Sequence, residues 1–133
     1  MDQLKSGLKF EVSRQVEQTD LASEVGSGLV DVFSTAMMIG GMEDAAVRCV
    51  QPCLPEGFTT VGVRVEVSHK AATPLGMGVS FAATLLQVSP DGRRLTFAIE
   101  ARDEAGLIGE GRHERAIVEK EKFVAKAKAK LPR

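Results

Sequence analysis

Residues 34–50 read STAMMIGGMEDAAVRCV, and their pattern decides the fold. Met38, Met42, Ala45, Ala46 and Cys49 recur at spacings of three and four, while Glu43, Asp44 and Arg48 fall elsewhere on the wheel. That is a helix with one apolar face. Ser34 or Thr35 can cap its first turn, and Pro52 with Pro55 ends it, because proline lacks an amide donor and clashes with the preceding turn. Gly40 and Gly41 lie inside it at a cost of about 1 kcal/mol each relative to alanine. Such a pair points to close approach by a sheet, a partner helix or a ligand.

The sequence on either side is strand-like. Downstream, Thr59–Ser68, Gly78–Val88, Arg94–Arg102 and Leu107–Glu119 are rich in Val, Ile, Thr and Phe with period-two alternation, clearest at Val61, Val63, Val65 and Val67. Pro74–Gly78, Pro90-Asp91-Gly92 and Asp103–Gly106 supply the turns, so the last three strands form an antiparallel meander. Upstream, residues 8–18 (LKFEVSRQVEQ) alternate partly and read as an edge strand. Thr19–Val32, with Gly26, Ser27 and Gly28, reads as a loop holding at most one irregular helical turn. Beyond Glu119, KEKFVAKAKAKLPR is a thin amphipathic helix with a lysine-rich solvated face.

One helix with five strands has an economical packing solution: an α+β layer in which a curved antiparallel sheet wraps the helix, all within a single domain spanning residues 1–133. A lone sheet leaves edge strands that invite a second copy, so a homodimer is expected. The 133 residues are 44% hydrophobic and 26% charged, the composition of a globular chain. Seventeen basic against eighteen acidic residues give a net charge of -1, and Trp and Tyr are absent. Neither a global positive field nor a set of stacking rings is present, which disfavours a nucleic-acid reader. No apolar run is long enough to span a membrane, and the N-terminus has no secretory hydrophobic region, so a cytoplasmic location with Cys49 and Cys53 as free thiols is expected.

Three segments carry a family likeness: VFSTAMMIGGMEDAA around Thr35 and Glu43, VEVSHKAATPLGM around His69, and GLIGEGRHERAIVEKEKF on the last strand. In motif order and spacing they resemble the hot dog fold thioesterases, and among them the fluoroacetyl-CoA thioesterase-like group. The resemblance is clearest from Phe33 to Phe123 and implies hydrolysis of an acyl-CoA thioester by a Thr, Glu and His set falling on Thr35, Glu43 and His69. The fluoroacetyl-specific members resemble one another in a longer, aromatic-bearing segment before the helix, whereas Thr19–Val32 holds no aromatic residue. The resemblance therefore implies thioester hydrolysis without fixing the acyl group.

These residue types suit that reaction. A carboxylate such as Glu43 can deprotonate a water or hydroxyl, an imidazole such as His69 can pass a proton to a departing thiolate, and the Thr35 hydroxyl can attack or hold the water. Amides of the first helical turn are placed to receive an oxyanion. Eight residues of helix rise about 12 Å, so Thr35 and Glu43 of one chain should not touch: either the helix starts late or the site is shared, and two-fold packing of the helices would bring Thr35 of one protomer toward Glu43 of the other. Arg112 and Arg115 read first as surface charges or dimer contacts and are the candidate contacts for the CoA phosphates, while His113 reads as an ordinary strand residue. No cofactor is called for beyond the CoA thioester itself. A metal site is not indicated: Cys49 and Cys53 sit at a helix end broken by Pro52, and the two histidines are far apart. There is no phosphate-binding glycine loop and no GxSxG elbow. Hot dog hydratases resemble one another in an Asp and His pair five apart, but Asp31 is followed at that distance by Ala36. The rival reading is a hot dog protein that binds acyl-CoA without turnover.

Overall fold

The computed structural model describes residues 3–132. Its centre is one five-stranded antiparallel sheet of β1 (Lys9–Gln15), β2 (Phe58–His69), β3 (Gly78–Val88), β4 (Arg94–Asp103) and β5 (Gly106–Glu119) in the order β1-β3-β4-β5-β2. A short α1 (Ala22–Val25) precedes the long α2 (Thr35–Val50), and α3 (Lys120–Lys128) follows the last strand. The expected α+β layer and the meander of β3, β4 and β5 are present, while the segment before α2 holds two short helical pieces, a 3-10 turn at Gln18–Asp20 and α1, where the sequence suggests one irregular turn. The first strand is shorter than the sequence suggests. It stops at Gln15 because Glu17 and Asp20 close a capping box around a 3-10 turn at Gln18–Asp20.

The apolar face of α2, formed by Met38, Met42, Ala45, Ala46 and Cys49, is buried against Phe81, Ala83, Leu85, Leu95, Phe97 and Ile99 of the sheet. Each of the large side chains contributes about 1.5–3 kcal/mol by leaving water. Gly41 lets the helix come this close: a Cβ there would meet the Phe81 ring at 2.6 Å. Gly40 has no neighbour within 4 Å of such a Cβ and faces outward. The helix lies mainly over β3 and β1. The inner face of β2 is left more open, with Val65 exposed there.

A bulge between Gly62 and Arg64 corrects the reading of the Val61–Val67 run as one alternating face. The extra residue switches the strand's faces, so Thr60 and Gly62 point inward before it and Val65 and Val67 after it. No helix among the described residues is long and apolar enough to cross a membrane.

Candidate active site

Ser34 takes the capping role: its hydroxyl accepts from the Met37 N–H at 3.1 Å, and its carbonyl accepts from Met38. This leaves the Thr35 hydroxyl free for another partner. It lies 2.7 Å from Nδ1 of His69, the last residue of β2. The N–H groups of Thr35 and Ala36 have no acceptor among the described residues, as expected of a first helical turn. Burial lowers the His69 pKa below its usual value, with the Ala71 backbone opposing, so the ring is neutral near pH 7. Its Nε2 is buried and has no hydrogen-bond partner among the described residues. A neutral imidazole with one nitrogen on a hydroxyl can exchange a proton with it.

The start of α2 is fixed by the preceding segment. Arg14 forks onto Asp20 with hydrogen bonds of 2.6 and 3.0 Å, and the Asp20 carbonyl accepts from the Ser34 N–H at 2.9 Å. Phe33 donates its N–H to Thr73, whose hydroxyl bonds Asp103. The helix terminus is thereby tied to β1, β4 and the loop after β2. Beside it lies a cavity of about 360 Å³ whose lining includes Ala22, Gly28, Val30, Phe33, Thr35 and His69.

Glu43 stands two turns further along the same helix and does not meet Thr35 or His69. Its Oε2 lies 3.3 Å from Nη1 of Arg115 and 3.9 Å from Nε2 of His113, both on β5. Here the structure corrects the reading of Arg115 as a surface charge: it is 6% exposed, and the strand residue His113 beside it is wholly buried. Both belong to the inward-facing set of β5, which passes under the helix. Arg112 is on the opposite, outer face, in register with Ala98 and Glu66 and lining a separate trough with Lys9 and Glu100. The two arginines offered as CoA contacts thus sit on different faces, and neither touches Thr35 or His69. Alternation along β5 carried the signal that His113 and Arg115 share a face; the sequence did not show which face the helix covers.

Residues 16–121 match the family described as fluoroacetyl-CoA-specific thioesterase. The chain belongs to that family. It is 44% identical over 102 residues to the fluoroacetyl-CoA thioesterase of Streptantibioticus cattleyicolor, covering 77% of this chain and 72% of that one. A solved fluoroacetyl-CoA thioesterase superposes with a TM-score of 0.91 at 36% identity, covering 97% of this chain and 98% of the other. A thioesterase superfamily member from Thermus thermophilus gives 0.86 at 30% identity, with 97% and 94% covered. The thioesterase family and hot dog fold inferred from the three sequence segments are therefore borne out, and with them the reading of the chain as a thioester hydrolase.

Proposed function

We propose that this thioesterase hydrolyses a small or medium acyl-CoA to the free acid and CoA at a site assembled between two copies of the chain. The observation that carries the proposal is the Thr35–His69 contact of 2.7 Å at the N-terminus of α2, two helical turns from Glu43. One chain holds a hydroxyl–imidazole pair and, separately, a seated carboxylate. Two-fold packing of the helices would bring Glu43 of a second copy to the first copy's pair. The edge position of β2 with its open inner face, and the exposed Gly40 on α2, support such packing, since they leave a sheet edge and a smooth helix surface for a second copy to cover.

In this mechanism Glu43 takes a proton from water or from the Thr35 hydroxyl as oxygen bonds to the acyl carbon. The first-turn amides stabilise the oxyanion, the C–S bond breaks, and the proton taken by Glu43 is passed through His69 to the departing thiolate. Where Thr35 is the nucleophile, a water then cleaves the acyl-Thr35 ester to give the free acid. Thr35 acts either as the attacking nucleophile or by holding the water. The Nε2 of His69, buried and without a partner among the described residues, supports a role toward substrate, because an unmet polar atom costs about 1–3 kcal/mol until a ligand or water satisfies it. The absence of any ring from Thr19–Val32 supports an acyl preference not tied to the fluoroacetyl group. Free thiols at Cys49 and Cys53 fit a reducing, cytoplasmic setting.

The experiment is thiol release from acetyl-, fluoroacetyl- and longer acyl-CoAs by wild type and Glu43→Gln. Loss of turnover by about two to four orders of magnitude in the variant, at little change in KM, is the expected result. Equal rates would remove Glu43 from the mechanism, and binding of acyl-CoA without turnover by wild type would favour the sensing alternative.

A further inference from the structure

Three sheet residues, Arg115, His113 and Gly62, lie against Glu43 and have no part in the chemistry above. Arg115 is engaged along its whole guanidinium edge: Nε donates to Thr60 Oγ1 at 2.8 Å, Nη2 to the Thr60 carbonyl at 2.9 Å, and Nη1 lies 3.0 Å from His113 Nε2 and 3.3 Å from Glu43 Oε2. A guanidinium only donates, so His113 Nε2 is an acceptor and the ring proton sits on Nδ1, which donates to the Arg64 carbonyl at 2.8 Å. The imidazole is neutral and its tautomer fixed. Burial is the main reason, with the Arg115 charge acting in the same direction against the Arg64 carbonyl and the Glu43 and Glu114 charges.

Gly62 completes the arrangement. A Cβ at that position would lie 2.7 Å from Glu43 Oε2 and 3.3 Å from His113 Cε1. The β2 bulge beside it brings Gly62 to the inner face and sets the Arg64 carbonyl where His113 reaches it. The result is asymmetric: Oε2 is held, while Oε1 of Glu43 makes no hydrogen bond among the described residues. One oxygen is anchored and the other is left to accept a proton. Burying a guanidinium and an imidazole is seldom the most stabilising way to fill a core, since apolar groups of similar volume often do as well or better.

We propose that Arg115, His113 and Gly62 are positioning residues that seat one oxygen of Glu43 and so aim the other at the attacking water or hydroxyl. The proposal deepens, and rests on, the reading of Glu43 as the proton acceptor. It assigns Arg115 a catalytic-support role in place of the CoA contact expected from the sequence.

The test combines Arg115→Lys and Gly62→Ala, each alone and in a Glu43→Gln background, with the fastest acyl-CoA of the panel as substrate. Each single variant should lower kcat by about 10- to 100-fold through misplacement of the carboxylate, with KM changed by less than about threefold. In the Glu43→Gln background the same changes should cost no more than about twofold further, because residues acting through Glu43 lose their effect once its carboxylate is gone. Gly62→Ala keeps the test alive if Arg115→Lys does not fold: the nearest atom the added methyl meets, at 2.7 Å, is the end of the Glu43 side chain, with the His113 ring next at 3.3 Å, and Gly62 is not among the positive-φ glycines. Wild-type kcat in the single variants, or losses that multiply in full in the Glu43→Gln background, would overturn the proposal. Wild-type turnover by Glu43→Gln itself would instead remove the reading on which the proposal rests.

Discussion

The hydroxyl of Thr35 and Nδ1 of His69 lie 2.7 Å apart although 34 residues separate them in sequence. The contact exists because Ser34, one residue earlier, already caps α2, and because β2 ends where that helix begins. A pH prediction follows. The burial that lowers the His69 pKa keeps the ring neutral and able to accept from the hydroxyl, and acid removes that ability. The acid limb of kcat/KM should therefore have its midpoint below 6.5, the ordinary histidine value, and vanish in His69→Ala. Profiles between about pH 5 and 8 test this. A midpoint above the ordinary value, or a limb that survives the substitution, would separate His69 from the chemistry.

Asp20 should govern acid stability. Its burial works to raise its pKa, but hydrogen bonds from Arg14 and the Glu17 N–H outweigh that and hold it below 3.8. A lowered folded-state pKa stabilises the protein above the unfolded value, and the contribution is lost as pH falls through the folded one. Asp20→Asn should cost about 2 kcal/mol at neutral pH by weakening charged hydrogen bonds. The difference from wild type should shrink below about pH 3.8. Urea unfolding at several pH values reads both, and a pH-independent difference would contradict the assignment.

Much of this was legible in the sequence, and the misses have physical causes. The α2 periodicity, the turn residues and the strand composition are local signals, and they located every long element. The cost of the glycine pair points to close approach by a sheet, a partner helix or a ligand, and at Gly41 it is the sheet, through Phe81. What period-two reading cannot give is which face is covered, or where a bulge reverses the faces. Hence alternation alone makes Val61–Val67 one face and Arg115 a surface charge. Both depend on register between β2 and β5, which is set by tertiary pairing.

The basic C-terminal helix offers a different place for the CoA phosphates. A groove of about 660 Å³ combines Phe58, Ile117 and Phe123 with Arg93, Lys122 and Lys126. If CoA's polyanionic end uses it, KM should rise with salt and on truncation after Phe123, while Arg112→Ala, on the outer face, changes neither. A KM indifferent to both salt and truncation would leave α3 as a solvated helix.

The central claim is that the hydroxyl–imidazole pair and the carboxylate come from different copies. Subunit mixing tests it most directly: Thr35→Ala and Glu43→Gln proteins are unfolded together, refolded, and assayed for thiol release. In a shared-site dimer, half of the random pairs are heterodimers, and each has one site with both substitutions and one with neither. Activity should therefore return to about a quarter of wild type from two nearly inactive parents. A mixture no more active than the average of those parents would contradict the account.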